Sequence, residues 1–251
     1  MEFEAYKALH ERIFRENGLG YFLEDSVSRE TLSGKTELFW LLTERMLKVN
    51  EQMNLTAVRD PESVIFLHYA DSLMIASAIP RGITLCDIGC GAGFPSLPLA
   101  IARGDLSFYA VDSTEKKVRY VAETAAFLGL SDRFEAHSAR AEELGQGEMR
   151  ESFSCVTARA VSNLRMLSEL CLPLVELNGA FLSMKGANWE TECKDAENAI
   201  ALLGGALERA DEFEVRNGDK TEKRCLLTIR KVHETPAKYP RAWGRIKSKP
   251  L

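Results

Sequence analysis

A chain of 251 residues with 45% hydrophobic and 27% charged residues has an ordinary globular composition, which excludes intrinsic disorder and is sufficient for one large core. The longest apolar stretches, such as residues 94–102, are much shorter than the roughly 20 residues of a membrane-spanning helix. Residues 1–20 lack the apolar run of a secretory signal. We therefore expect a cytoplasmic protein without a membrane partner. The net charge of −5 opposes nucleic-acid binding, but residues 235–251 are basic and contain no acidic residue, which gives the acidic body a basic tail.

The first 80 residues are predicted to form an N-terminal helical extension. Apolar residues at helical spacing begin at Phe3, and this first helix stops at Gly18. A second helix covers residues 37–51. A third helix opens at Asp60-Pro61-Glu62, where an N-cap carboxylate precedes a proline at the first helical position, and it ends before Pro80.

From Gly82 onward, short β-type runs alternate with amphipathic helices, which is typical of a parallel sheet covered on both faces. The last two runs follow each other directly, so they should pair as an antiparallel hairpin around Asn217-Gly218. This pattern predicts an α/β fold, Rossmann-like and of the class I methyltransferase type, with a mostly parallel seven-stranded sheet in residues 81–234 and the basic tail in residues 235–251. The predicted strands lie near residues 83–88, 107–112, 133–137, 153–157, 179–184, 207–215 and 224–231, and the helices that follow the extension lie near residues 95–103, 114–128, 163–173 and 188–203.

A glycine-rich turn follows the first predicted strand. Glycines allow a sharp turn and a close approach to a ligand, and the N–H groups of the next helix point toward it. A dinucleotide fold requires GxGxxG, whereas this chain has GxGxG at Gly89, Gly91 and Gly93, with Asp87 just before. The spacing resembles motif I of class I methyltransferases, where the loop cradles the methionine portion of S-adenosylmethionine. A purely structural turn is the alternative.

Two further segments are candidates for the same site. Asp112 ends the second predicted strand, where a carboxylate can accept hydrogen bonds from two ribose hydroxyls; the alternative is an N-cap for the helix that begins near Ser113. After the third strand, Ala141 and Glu142 stand where such folds contact an adenine ring. The alternative for this pair is an ordinary solvated helix start.

The segment after the fourth strand narrows the reaction type. It contains no Asp-Pro-Pro-Tyr type motif for an exocyclic amine and no Pro-Cys nucleophile for pyrimidine C5. Guanine N7 has an in-plane lone pair and no proton, so its methylation needs alignment and no general base. We therefore expect no catalytic acid or base, and Arg159 is the best candidate for positioning substrate or cofactor, with a structural salt bridge as the alternative. The six cysteines lack CxxC pairs, so we expect reduced core thiols and no metal site.

Four motifs stand out along the chain: Asn54-Leu55-Thr56 with His68 to Leu73, Asp87 to Pro95, Ala158 to Val161, and Met184-Lys185-Gly186. Together they resemble the ribosomal small-subunit guanine-N7 methyltransferase family, also called glucose-inhibited division protein B. The resemblance covers nearly the whole chain and implies methyl transfer from S-adenosylmethionine to guanine N7 in the 530 loop of 16S ribosomal RNA. It implies cofactor contacts at Gly89, Phe94, Ala141, Glu142 and Arg159. Ser96 and Met53 depart from the family pattern, which usually has glycine and an aromatic residue there.

The resemblance also implies a partner, 16S ribosomal RNA or the small ribosomal subunit, and we expect a monomer. His68 and Asp71 lie three residues apart on the third helix and could face the cleft; a capping or packing pair is an equal alternative. Lys185 is a candidate contact to an RNA phosphate, and a solvated lysine is its alternative. In the family context the tail becomes an RNA-backbone clamp in place of a solvated terminus, with its charges at Lys238, Arg241, Arg245, Lys247 and Lys249.

Three rival functions remain open at this point. A nicotinamide-dependent oxidoreductase would share the alternation of strands and helices, but the glycine spacing and the terminal hairpin count against it. A non-catalytic RNA-binding or ribosome-assembly factor would retain the fold without turnover; the intact glycine loop, Asp112 and Arg159 indicate that cofactor binding is retained. A small-molecule methyltransferase would have no evident use for the basic tail.

Overall fold

The computed structural model describes residues 1–23 and 34–251. Its seven strands form one sheet in the order β3-β2-β1-β4-β5-β7-β6, in which β7 is antiparallel to both neighbours and every other pair is parallel. The predicted α/β fold with a mostly parallel seven-stranded sheet is confirmed. The strands are β1 (Thr84–Ile88), β2 (Ser107–Asp112), β3 (Phe134–Ser138), β4 (Phe153–Arg159), β5 (Val175–Lys185), β6 (Gly205–Asn217) and β7 (Lys220–Lys231).

The helices cover both faces of this sheet. The predicted helices are present with bounds that shift by a few residues, and two short helices, α7 and α10, were not predicted. Six residues complete fewer than two helical turns, so they carry too little periodicity to be detected. The helices are α1 (Phe3–Glu16), α2 (Lys35–Met53), α3 (Pro61–Val64), α4 (Asp71–Leu73), α5 (Ser96–Ala102), α6 (Glu115–Phe127), α7 (Ala141–Gln146), α8 (Leu164–Cys171), α9 (Trp189–Leu202) and α10 (Trp243–Ser248).

The predicted third helix is a continuous rod that changes its winding in the middle. It opens as expected, with Asp60 Oδ1 accepting a hydrogen bond from the Ser63 N–H at 2.8 Å and Pro61 in the first turn. Between α3 and α4 the chain forms a π-helical turn, Ile65–Ala70. Such turns insert an extra residue and re-aim side chains, and they are frequent at functional sites. His68 lies within this turn.

The terminal hairpin forms where the sequence places it. Asn217 of β6 pairs with Lys220 of β7, so the connecting loop is Gly218 and Asp219. Gly218 has a φ of 57°, in the left-handed region that the first central residue of a two-residue hairpin requires. β7 thereby inserts between β5 and β6 and extends the sheet.

Alternate residues along the strands pack into two cores, one on each face of the sheet. Leu85 of β1 faces the core that also holds Tyr6 and Phe39 of the N-terminal helices. Cys86, the next residue, faces the core that holds Ile246 of α10. The helices before residue 80 and the tail after residue 234 are therefore each part of a core shared with the sheet.

Two remaining expectations concern the cysteines and membrane-spanning helices. The described cysteines are all free thiols, and Cys155 lies fully buried inside β4, where burial raises the pKa of its thiol to about 12. A thiol of that pKa is not a nucleophile at neutral pH. In the part of the chain that the structure describes, no helix is both long enough and apolar enough to cross a membrane.

Candidate active site

The carboxyl ends of the central strands meet in one crevice. The chain runs outward from β1 through β2 and β3 on one side and through β4 and β5 on the other, so β1 and β4 flank the topological switch point of the sheet. Ligands of open α/β folds bind at this point. Gly89 follows β1, Asp112 ends β2, and Arg159 ends β4. We refer to the space lined by Gly89, Asp112, Ala141, Glu142 and Val161 as the glycine-loop crevice.

The glycine loop is fixed in place by close backbone contacts. The N–H groups of Gly89 and Cys90 both donate to the Val111 carbonyl oxygen, at 2.8 and 2.9 Å. Gly89 has a φ of 73°, and a Cβ at this position would overlap the Val161 side chain. The glycine is therefore required twice, by the left-handed backbone and by the close approach of the segment after β4. A side chain here would close the crevice at its centre.

Asp112 holds this loop and also faces the crevice. Its Oδ2 accepts a hydrogen bond from the Gly91 N–H at 3.0 Å, and its Oδ1 accepts one from the Thr114 N–H at 2.8 Å. Each carboxylate oxygen retains a second acceptor position. Asp112 is not the N-cap of α6, which is Thr114, so that alternative is wrong. The carboxylate orders the turn before α6 and also lines the crevice, as the ribose-binding interpretation requires.

The far end of the crevice is lined by the start of α7 and by two large apolar side chains. Ala141 and Glu142 lie there at the start of α7, beside Leu170, and Glu142 is buried with a weak ion pair to Arg140 at 3.4 Å. Trp243 of α10 completes this wall. Nothing in the sequence identifies Trp243, since the tail comes 102 residues after Ala141 and meets it only in the folded chain.

Asp87 is fully buried beneath the glycine loop. Burial raises the pKa of its carboxyl to about 6, although the Ser96 hydroxyl, which donates to Oδ2 at 2.7 Å, acts in the opposite direction. Oδ1 has no hydrogen-bond partner among the described residues. Ser96, which departs from the family pattern, thus supplies the one described side-chain hydrogen bond to a carboxylate that would otherwise be isolated.

Arg159 stands at the centre of a polar network. Its Nη1 donates to Asp71 Oδ2 at 2.8 Å and to the Leu67 carbonyl oxygen at 3.2 Å, and its Nη2 donates to His68 Nδ1 at 3.0 Å. The guanidinium also lies 5.5 Å from the ring centroid of Phe94. The predicted pair His68 and Asp71 therefore meets the predicted residue Arg159, and the salt-bridge alternative for Arg159 is realised at the mouth of the crevice.

His68 is neutral in this network. Burial lowers the pKa of its imidazole to about 3, with the neighbouring Arg159 charge acting in the same direction. Because Nδ1 accepts from Arg159, the ring proton lies on Nε2, which donates to Thr56 Oγ1 at 2.9 Å. The ring stacks on Phe94 with 4.4 Å between centroids. The motif segments around Thr56, His68 and Phe94 are thus joined in one contact chain.

A second space, which we call the side cavity, opens on the other side of Arg159. It shares His68 and Arg159 with the crevice and extends to the end of β5; its polar lining also includes Asp71, Lys185, Glu192 and Arg224. Arg224 donates to Asp71 Oδ1 at 3.0 Å, so that Asp71 lies between two guanidinium groups. Sequence reasoning missed Glu192 and Arg224. Arg224 is 153 residues from Asp71 and reaches it only because β7 pairs with β5.

Lys185 does not have the exposure that was expected of a phosphate contact. Its side chain is 5% exposed, and its ammonium donates to Glu192 Oε2 at 2.8 Å and to the Ser162 carbonyl oxygen at 3.2 Å. Neither the phosphate contact nor the solvated alternative describes this geometry. The lysine is an internal member of the side cavity.

The tail is docked on the sheet domain and does not extend into solvent. Arg241 donates twice to the fully buried Glu169, from Nε to Oε1 at 2.7 Å and from Nη2 to Oε2 at 2.6 Å. This corrects the expectation for Arg241, whose charge is used inside the fold. The four remaining basic residues are exposed: Lys238, Arg245, Lys247 and Lys249.

Comparison with known proteins gives the family and the fold of this chain. The family model described as rRNA small subunit methyltransferase G matches residues 35–219. The chain is similar to the Ribosomal RNA small subunit methyltransferase G of Lactobacillus helveticus, with 40% identity over 92% of this chain and 98% of the relative, and to that of a Geobacillus species, with 42% identity over 83% and 87%. Its fold is similar to that of M. jannaschii TYW2, a structure in complex with AdoMet, with a TM-score of 0.52 and 12% identity over 64% of this chain and 75% of that chain.

Proposed function

The chain belongs to the rRNA small subunit methyltransferase G family, and from this premise we propose that it transfers the methyl group of S-adenosylmethionine to N7 of a guanine in the 530 loop of 16S ribosomal RNA. The observation that carries the proposal is the meeting of two spaces at Arg159 and His68. The glycine-loop crevice lies on one side and the side cavity on the other, so that a cofactor and a base held in them would face each other.

The residues of the glycine-loop crevice fit this cofactor. Gly89 lines the crevice with backbone alone, and the Asp112 carboxylate retains acceptor positions for the two ribose hydroxyls. The wall made by Ala141, Glu142 and Trp243 includes an aromatic ring, against which an adenine ring can pack. When bound, S-adenosylmethionine supplies an electrophilic methyl group on a positively charged sulfonium.

The polar network at the junction suits an acceptor that has no proton to lose. Guanine N7 attacks through a lone pair, so the site has to align the base and does not need a general base. His68 matches this requirement, because both ring nitrogens are engaged and its low pKa keeps the ring uncharged at neutral pH. Arg159 is held rigidly by Asp71, His68 and Leu67, which makes it a positioning residue for the groups on either side.

The same network limits positive charge beside the cofactor. An unpaired arginine near the crevice would repel a sulfonium, since two unit charges at 4 Å interact by about 4 kcal/mol at an effective dielectric constant near 20. Asp71 pairs with Arg159 at 2.8 Å, Glu222 offsets Arg224, the second arginine on Asp71, at 3.1 Å, and the neutral His68 adds no charge. This explains why the arginine at the end of β4 is paired.

The exposed basic residues of the docked tail are proposed to contact the RNA backbone. They lie on the segment that also supplies Trp243 to the crevice wall, so an RNA that contacts them lies beside the active site. The enzyme would act as a monomer in the cytoplasm, where ribosomal RNA is found.

To test this proposal, purified protein is incubated with methyl-labelled S-adenosylmethionine and small-subunit particles that lack N7 methylation. The position of the label in the RNA is then mapped by borohydride and aniline cleavage. We expect label at one guanine N7 and its loss in Arg159→Ala. Arg209→Ala is the matched control, because Arg209 is exposed on β6 and pairs only with Asp211 among the described residues. Cofactor binding without transfer to particles or free RNA would contradict the proposal and favour a non-catalytic assembly factor or a small-molecule methyltransferase.

A further inference from the structure

An ion pair lines the side cavity at the end of β5. Lys185 and Glu192 are 2.8 Å apart, with side chains 5% and 33% exposed. The Leu164 N–H also donates to Glu192 Oε2, at 3.0 Å, and anchors the carboxylate to the start of α8. A largely buried ion pair is weak evidence for stability, because the cost of desolvation offsets much of the attraction. Its position in the lining of a cavity points to binding.

Each partner of this pair keeps an unused hydrogen-bonding position. The ammonium has three N–H donors, and the described residues accept from it at two positions, Ser162 and Glu192. Glu192 Oε2 accepts two hydrogen bonds, whereas the described residues donate none to Oε1. In the lining of the cavity, Lys185 therefore offers a charged donor directly beside Glu192, which offers a charged acceptor.

The edge of guanine has the complementary sequence of groups. N7 and O6 are acceptors, and the next positions along the edge, N1–H and the 2-amino group, are donors. Adenine carries a 6-amino donor in place of O6 and an unprotonated N1. The same ion pair would thus set donor against donor and acceptor against acceptor if it met adenine.

The order of the strands sets the direction of the base. The glycine loop follows β1, Arg159 ends β4 next to it, Lys185 ends β5 beyond that, and Glu192 follows on α9. A guanine whose N7 points back toward β1 therefore meets Lys185 with O6 and Glu192 with N1–H. We propose that Lys185 and Glu192 read the target base in this way, Lys185 donating to O6 and Glu192 Oε1 accepting from N1–H. This inference rests on the proposed function, because it takes N7 as the methyl acceptor.

The experiment compares two bases at the target position of an RNA fragment that contains the 530 loop. One fragment carries guanine, and the other carries 2-aminopurine, which keeps N7 and the 2-amino group but lacks O6 and N1–H. For the wild-type chain we expect kcat/KM to favour guanine by a factor of about 100 or more, as in sites built to hydrogen-bond a substrate. Glu192→Ala should lower kcat/KM on guanine by most of that factor and leave the value on 2-aminopurine within about threefold of wild type.

The ratio of kcat/KM on the guanine fragment to kcat/KM on the 2-aminopurine fragment distinguishes recognition of the base by Glu192 from a structural role of this residue. A packing defect would lower both values equally and leave the preference for guanine unchanged, and that result would overturn the inference. Glu190→Ala is the matched control, since Glu190 is exposed in the first turn of the same helix. Should the alanine variant fail to fold, Glu192→Gln keeps the volume and a neutral acceptor, and the ratio should fall by about tenfold.

The outcomes also separate this inference from the proposed function. If the wild-type chain transfers no methyl group to guanine N7, the proposed function fails. If it does so and Glu192→Ala keeps the wild-type preference for guanine, only the base-reading role fails. Lys185→Met should likewise lose the preference, because 2-aminopurine offers no O6 for the ammonium; a Lys185→Met enzyme that keeps the preference would contradict the role of Lys185.

Discussion

Replacing Arg241 with alanine is expected to destabilise the fold and to leave the salt dependence of RNA binding almost unchanged. Glu169 is fully buried, and the Arg241 side chain donates to both of its oxygens. Removal of one partner of a buried pair typically costs about 3–5 kcal/mol, because the remaining charge is left uncompensated. The Arg241 backbone N–H, which donates to Oε1 at 2.9 Å, is retained in the variant, so we expect the lower end of this range, about 3 kcal/mol.

The assay is urea unfolding followed by circular dichroism, together with a thermal scan. For a chain of this size, about 3 kcal/mol corresponds to a fall in Tm of about 6–12 °C. Adding Glu169→Gln to the Arg241→Ala variant removes the uncompensated charge and should restore about 1–2 kcal/mol. Arg245→Ala is the control, because Arg245 is exposed on α10 of the same tail and should keep wild-type stability. Wild-type stability of Arg241→Ala, combined with a reduced salt slope of RNA binding, would refute the assignment of Arg241 to the fold.

Three further predictions use other parts of the structure. Gly89→Ala should weaken S-adenosylmethionine binding at least tenfold by calorimetry, because the new Cβ overlaps Val161 and the φ is left-handed; an unchanged Kd would contradict the crevice assignment. Burial lowers the pKa of His10 to about 3, so between pH 6.5 and that value only the unfolded chain binds the proton, and the free energy of unfolding falls with falling pH. His10→Leu should reduce this fall by about 1.4 kcal/mol per pH unit. Urea unfolding at pH 4.5–7 measures the free energy of unfolding, and a pH dependence equal to that of the wild type would exclude the effect. The double variant Lys247→Ala, Lys249→Ala should make the plot of log K for RNA binding against log salt concentration less steep by about 1.4–1.8, if both lysines contact phosphates. A wild-type slope in filter binding would show that these two lysines do not contact the RNA backbone.

Local features of the sequence predict much of this site. The glycine loop, the carboxylate at the end of β2 and the arginine at the end of β4 each follow a strand, and the strand pattern alone brings them to one edge of the sheet. The hairpin at Asn217-Gly218 is local in the same sense. Such features depend on neighbours within a few residues, which a single sequence contains.

The parts that the sequence does not predict depend on long-range pairing. Arg224 meets Asp71 because β7 inserts beside β5, and Trp243 meets Ala141 because the tail folds back over α7. Arg241 has the same charge and a sequence context similar to that of Arg245, but one is bound to a buried carboxylate and the other is exposed. The distinction lies in Glu169, whose burial is visible only once α8 is placed.

The arrangement of charges explains how an acidic chain can act on a polyanion. The basic groups at the junction are paired internally. Arg159 and Arg224 share Asp71, Arg224 also pairs with Glu222 at 3.1 Å, and Lys185 binds Glu192. They therefore contribute little net field at a distance, where pairs of opposite charge cancel. We propose that attraction of RNA falls to the exposed basic residues of the tail, while the paired groups act at contact, where direction and hydrogen bonding decide which base is accepted. Binding strength and base selection are thus assigned to different residues, and each can be altered without the other.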